Sequence, residues 1–431
     1  MRRRIEGFFF APASPVNAGV LRIGLFGATV WFAAQEDTAR DAAAAAINWR
    51  PTSFFRILPA APSDGAIRAV QIAVIVVGTL AAIGLWTRVT QRVATPLAAF
   101  LLGFDSSFGK INHRSMLLVL LLVAVLPART GDAVSVDRLM AVARRRQAFA
   151  VEPSPAYRWP VALAQTTIVS VYFFAGISKL VNGGATWFTA DAFRRFLYVR
   201  LDQLPDPPKA GLWVAAHRAV AQAAAVASVA FELSVALVLV YPALKKLILP
   251  GLVAFHESTR RLTRINFTRT LLVAWIPLVD WERLGLRVRT RFSRPKDVVL
   301  YDGGCRLCRR SAAVLATLDV LRRLEFLNAR DAVELARRFP QLDPASCLKD
   351  MHIVSGGGGI YAGFFAYRRL ASVVPLGWPM LWALYVPGSP ALGKRLYRRV
   401  ADSRLPLLHC AGDACEVEHH AETPVVRTGS L

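Results

Sequence analysis

Long apolar runs broken by short arginine-bearing stretches fill the first two thirds of the chain, and the last third alternates short apolar strands with helical patterns. The apolar runs lie at 16–34, 67–86, 93–104, 116–126, 161–180, 220–241, 247–255 and 271–279. Because roughly 20 residues of helix cross a bilayer core, the shorter runs reach across only when tilted, re-entrant or extended into their flanks. The pattern predicts a polytopic α-helical membrane bundle of seven to nine spans over residues 1–284. A basic linker over 285–296 carries Arg287, Arg289, Arg291 and Arg294 before Pro295. After it, 298–300 and 324–327 read as strands and 333–339 as a helix, followed by a hairpin and closing helices. That alternation predicts a small α/β domain over 297–405, with 406–431 as a polar, disordered tail.

Composition strengthens the membrane reading. A 54% share of hydrophobic residues and a mean hydropathy of +0.38 are too apolar for an ordinary soluble protein. The net charge of +24 raises the question of nucleic acid, yet the arginines sit mainly beside and between apolar runs, where membrane flanks account for them. The expected partner is therefore the lipid bilayer and no nucleic acid. Alternating eight spans puts Arg2-Arg3-Arg4, Arg88 and Arg92, the 129–158 loop, Lys245-Lys246 and the basic linker on one side. By the positive-inside rule that side is cytoplasmic, which predicts a multi-pass protein of the plasma or inner membrane with its last domain in the cytoplasm. No cleavable signal peptide is read at the N-terminus. The mixed aromatic and apolar stretch 364–382 reads as core or as a membrane-facing surface.

One stretch names a chemistry. In Tyr301-Asp302-Gly303-Gly304-Cys305-Arg306-Leu307-Cys308 a strand is broken by Asp-Gly-Gly, so Cys305 is expected to open a helix. Unpaired N–H groups and the helix dipole favour a thiolate there, and Arg306 adds a cation. Cys308 follows one turn later. Cys305 is thus expected to attack a disulfide on a protein or small thiol and Cys308 to resolve the mixed disulfide, with no cofactor required. Two alternatives compete with this reading: a zinc site drawing on Cys347 and His352, and an inert buried pair. Reducing cytosol agrees with five cysteines that form no disulfide framework. The tail residues Cys410 and Cys415 stand among histidines, and no metal is assigned to them or elsewhere.

The segment from Val298 to about Leu405 resembles the DCC family of thiol-disulfide oxidoreductases, whose hallmark is Tyr-Asp-Gly-x-Cys-x-x-Cys on a thioredoxin-like fold. The resemblance implies catalytic roles for Cys305 and Cys308 and adds Asp302 from the same motif. Residues 351–368 and 393–404 are similar to the family's second hairpin and closing helix. The chain departs from thioredoxins proper in having no proline just before Met351.

Charged groups at membrane depth are costly and usually face a partner or a cavity. Asn112-His113 precedes one span, Lys179 lies near the end of another, Glu232 interrupts the middle of a long one, and His256 closes a short one. Snorkelling accounts for Lys179 and His113 as well as a site does, whereas mid-span Glu232 calls for a partner inside the bundle. These residues resemble motifs of the HTTM domain, the membrane domain shared with vitamin K-dependent gamma-carboxylase. Asn112-His113-x-Ser115, Tyr172-Phe173-x-Ala175-Gly176-x-x-Lys179-Leu180 with Trp187, and Phe255-His256 carry the likeness. It implies that Lys179 is a base toward a quinol and His113 its neighbour, with Ser178 standing where the carboxylase has a second lysine. A quinone-type lipid is therefore the expected ligand of the membrane domain. Three functions stay open: a dithiol oxidoreductase coupled to that lipid, a carboxylase-like or epoxidising enzyme reduced by the dithiol, and a membrane-anchored binding module without catalysis.

Overall fold

A computed structural model describes residues 2–108, 115–144 and 151–402. The chain forms two compact units, one built mainly from Met1–Ala141 with Ala150–Leu286 and the other mainly from Arg287–Leu431.

In the first unit every expected apolar run is helical. The helices are α1 (Val16–Ala33), α2 (Asp64–Ile83), α3 (Thr87–Gly103), α4 (Met116–Val125), α5 (Pro155–Gly183), α6 (Arg218–Ser234), α7 (Lys245–Thr263) and α8 (Thr268–Leu278). Local chemistry sets several ends. Ser63 accepts from the Ala66 N–H to start α2, and Gly84, in the left-handed region at φ +73°, stops it. Ser154 caps α5 ahead of Pro155, whose missing N–H costs nothing at the first helical position.

Among the described residues only four helical segments are long and apolar enough to cross a membrane: Val16–Ala33, Asp64–Ile83, Pro155–Trp187 and Arg218–Val240. The expectation of seven to nine spans is not met at that standard, because length and apolar content separate. Helix α4 is wholly apolar but has ten residues, and Leu117, Leu118, Leu121, Leu122 and Val125 are buried within the unit. It is a core helix. In α3 the run is interrupted by buried Thr95 and by Pro96, and buried Gln91 stands just before it. The long helices α2 and α6 leave apolar residues such as Ile72, Val76 and Val226 exposed, as a lipid-facing surface requires.

A buried charge unmarked by the sequence reading braces this unit. Arg22 on α1 is fully buried, and its guanidinium donates to the carbonyls of Ala82, Thr130 and Val134. The carbonyls replace water around the cation and tie α1 to the end of α2 and to the 130–134 loop.

The second unit is built on a four-stranded sheet of β1 (Asp297–Tyr301), β2 (Leu324–Asn328), β3 (His352–Val354) and β4 (Ile360–Ala362), in the order β2-β1-β3-β4. β1 pairs parallel with β2 and antiparallel with β3, while β3 and β4 form an antiparallel pair. The parallel pair requires a crossover, supplied by α9 (Arg306–Leu318). Strand alternation gives the sheet two apolar faces. Val299 and Ile353 pack with Leu324, Ala366, Leu370 and Val373 on one face. On the other, Val298, Leu300 and Val354 pack with Leu335 and Cys347, which come from α10 (Ala332–Arg338) and α11 (Pro344–Lys349). The unit closes with α12 (Phe364–Val373), a 3-10 turn over Pro375–Met380, α13 (Leu381–Tyr385) and α14 (Ser389–Asp402).

Candidate functional site

Strand β1 ends at Tyr301, and the turn Asp302-Gly303-Gly304 delivers Cys305 to the N-cap of α9. The Cys305 Sγ accepts the Cys308 N–H at 3.3 Å, taking the place that a serine or aspartate oxygen occupies in most caps. A sulfur in this position lies at the positive end of the helix, where negative charge is favoured.

The turn is clamped from β2 and beyond. The Asp302 carboxylate accepts from the Gly304 N–H at 2.8 Å and from Arg330 Nε at 2.6 Å. Asn328 Oδ1 accepts from the N–H groups of Gly303, at 2.9 Å, and Arg330, at 3.1 Å. Arg309 Nη1 donates to the Gly303 carbonyl at 2.6 Å. A Cβ on Gly304 would meet Arg330 Cζ at 2.5 Å, so this glycine gives the guanidinium its seat. Burial works to raise the Asp302 pKa, but the bonds from Arg330 and the Gly304 N–H outweigh it and hold the carboxyl below its ordinary value.

Arg330 was not singled out in the sequence, and it is a cation close enough to Cys305 for the two groups to interact electrostatically. Arg306, expected in that role, is exposed on the first turn of α9. The two sulfurs differ in exposure. Cys305 is buried, whereas Cys308 is half-buried and lines a cavity of about 40 Å³ with Asp302, Cys347, Met351 and Tyr397. Cys347 faces the same cavity, and burial together with the nearby Asp343 charge pushes its thiol pKa up. The zinc alternative finds no geometry here. His352 Nδ1 lies 2.9 Å from the Asp350 carbonyl, and among the described residues no group of three or more His, Cys, Asp and Glu is placed to hold a metal.

In the membrane unit, α5 presents Gln165, Tyr172, Gly176 and Lys179 at helical spacings that share one face. Lys179 Nζ donates to both carboxylate oxygens of Glu232 on α6, with Oε1 at 2.5 Å, and lies 5.5 Å from the centre of the Trp187 ring. The Glu232 side chain is 6% exposed. Two turns earlier on α5, the Tyr172 hydroxyl is 2.7 Å from His256 Nε2 on α7. His256 is buried among Phe255, Phe267 and Tyr172, and its Nδ1 has no hydrogen-bond partner among the described residues. Gly176 lets α5 and α6 approach, since a Cβ there would lie 3.0 Å from Leu233 Cδ2 and 3.3 Å from Glu232 Cβ.

Glu232 thus has the internal partner expected of it, and that partner is Lys179. His256 enters through Tyr172, whose role the sequence reading missed because the residue is one of several aromatics in an apolar run. Asn112 and His113 lie outside the described residues, as do Cys410 and Cys415.

Family models match both units. The HTTM domain model matches residues 10–281, and the DCC1-like thiol-disulfide oxidoreductase model matches residues 299–410. No curated protein and no solved structure matches the chain. With more than half its length in the first of these matches and the cysteine turn inside the second, the chain belongs to the HTTM domain family and carries a DCC1-like thiol-disulfide oxidoreductase domain after it.

Proposed function

We propose that the protein is a multi-pass membrane thiol-disulfide oxidoreductase whose Cys305–Cys308 pair, on the cytoplasmic side, exchanges two electrons and two protons with a quinone-type lipid held by the membrane domain. The observation that carries the dithiol half is the Cys305 sulfur on the helix N-terminus beside Arg330. An anion stabilised there is both an attacking group and a good leaving group in thiol–disulfide exchange. In the first half-reaction the Cys305 thiolate attacks a disulfide of a protein or small thiol, one partner sulfur departs as thiolate, and Cys308 then displaces the second. The partner leaves reduced and the pair is left as a disulfide. A quinol returns it to the dithiol by giving up two electrons and two protons, becoming a quinone.

Support for the lipid half comes from the Lys179–Glu232 pair and the neighbouring Tyr172–His256 pair on one face of α5. A lysine drawn between helices beside a carboxylate is suited to holding and moving a proton at a phenolic oxygen.

The exposure of Cys308 favours a second order of attack, in which Cys308 meets the partner disulfide and Cys305 resolves it. Trapping decides between them. The purified protein is assayed for disulfide reduction driven by a quinol, and mixed disulfides are collected from Cys305→Ser and Cys308→Ser. Adducts that accumulate on Cys305 in the Cys308→Ser variant support the first order, and adducts confined to Cys308 support the second. Lys179→Ala should lose quinol-driven reduction of the Cys305–Cys308 disulfide while keeping thiol exchange. Full activity in both Cys305→Ser and Lys179→Ala would end the proposal.

A further inference from the structure

The second unit carries an amphipathic face that lies largely outside the dithiol turn and the sheet core. It is built from the turn Pro375–Met380, α13 and α14, which pack on one another and on α12. Gly393, Tyr397 and Ala401 turn α14 inward: Gly393 sits against the Phe364 ring, the Tyr397 hydroxyl accepts the Met351 N–H at 3.1 Å, and Ala401 is buried. Beside that inward face Leu392, Leu396 and Val400, at spacings of four, form an exposed stripe. Arg395 and Arg399, three and seven residues after Leu392, border the stripe on the side away from the core. From α13 and the preceding turn come Trp378, Met380, Trp382 and Tyr385; Trp382 is 75% exposed and Met380 60%. Cations are laid over the rings, with Arg368 3.7 Å from the centre of Tyr385 and Lys394 5.1 Å from that of Phe365.

Isolated exposed apolar residues are ordinary, but this face gathers tryptophan, methionine and leucine inside a border of arginine and lysine. That composition belongs to surfaces that lie in the headgroup region of anionic bilayers, where indole rings and leucines enter the acyl boundary and cations meet lipid phosphates. A protein partner of this size would be expected to match apolar with apolar and the cationic border with acidic groups. A bilayer does both, and the chain's own membrane helices keep it permanently at high local concentration. We infer that the α13–α14 face of the DCC1-like domain docks on the surface of an anionic lipid bilayer. Tyr397, Val400 and Ala401 of α14 also line the cavity beside Cys308, so docking brings that cavity close to the lipid headgroups.

The test uses the full chain in nanodiscs of phosphatidylcholine with or without phosphatidylglycerol. A photoreactive diazirine phenylalanine replaces Trp382, Leu396 or, as a control on an exposed α10 position of the same domain, Val333. Crosslinked products are identified by mass spectrometry. Probes at 382 and 396 are expected to attach to lipid, with the probe at 333 free of it. Replacing Arg395 and Arg399 with glutamine should lower the lipid adducts in the anionic discs about fivefold for each cation removed, with unchanged thiol reactivity of Cys308 reporting intact folding. Adducts at 382 and 396 to a second copy, to another segment of the chain or to nothing would overturn the inference, as would equal lipid labelling at 333.

Discussion

Replacing Arg330 with alanine tests whether the dithiol turn is held by a charge from the turn that follows β2. Asp302 is 5% exposed and gives one carboxylate oxygen to both Arg330 Nε and the Gly304 N–H, so losing the guanidinium strands a buried negative charge. Breaking a fully buried pair costs about 3–5 kcal/mol. The Arg330 side chain is 51% exposed, however, and water can replace part of what it supplies. Discounted for that screening, the loss is about 1–2 kcal/mol. It should appear locally, as a fall of roughly 5- to 30-fold in amide-exchange protection across residues 302–308, with the sheet residues 298–300 little changed. A second readout separates electrostatics from mere support. At fixed pH in the reduced protein, Arg330→Ala should slow alkylation of Cys305, and Arg330→Lys should restore the charge but not the paired contact with Asp302. Unchanged exchange in the turn together with unchanged Cys305 alkylation would refute the reasoning.

Lys179→Ala leaves Glu232 buried without a cation and should destabilise the membrane unit by about 3 kcal/mol or more, whereas Lys179→Ala with Glu232→Ala should recover much of the loss; a double-mutant cycle on unfolding in mild detergent is expected to show coupling of about 1–3 kcal/mol. Cys347, with its thiol pKa raised by burial and by Asp343, should alkylate more slowly than Cys308 at pH 8 in the folded protein and at the same rate once unfolded, as peptide mass spectrometry can follow. Acid should loosen the dithiol turn. The folded Asp302 carboxyl lies below its unfolded value of about 3.9, so its contribution is fully present above that pH and is lost as pH falls through the folded value. Exchange protection of 302–308 should therefore hold from pH 7 to about pH 5 and decline toward pH 3, and Asp302→Asn should flatten that decline.

The dithiol was legible because its signal is local: two cysteines three apart follow a turn that has to break a strand. Arg330 was not, since it is 28 residues from Asp302 and reaches it only through the parallel register that sets Tyr301 opposite Asn328. Long-range pairing of this kind leaves no periodicity in one sequence. Lys179 and Glu232 were each visible as charges within apolar runs, but their partnership spans 53 residues and depends on how α5 and α6 cross. The number of spans is not fixed by hydropathy for a related reason. Hydropathy reports how apolar a run is, and it cannot say how much of it is buried against neighbours, as half of α4 is.

Both polar centres use the same device, a charge pair seated where a glycine removes a side chain. At Gly304 the space is taken by the Arg330 guanidinium, which then reaches Asp302 below the turn. At Gly176 the helices close until Glu232 Cβ lies near the α5 backbone, and that approach brings its carboxylate within reach of Lys179 less than one turn later on the same helix. A helix-interior glycine costs about 1 kcal/mol relative to alanine, and Gly176 recovers this only through the contact it permits. The local rule is broken at the position where the long-range pair requires it. This is the signature of a site that the fold maintains against its own propensities, and it joins the membrane cluster to the dithiol turn in physical design although the two share no residue.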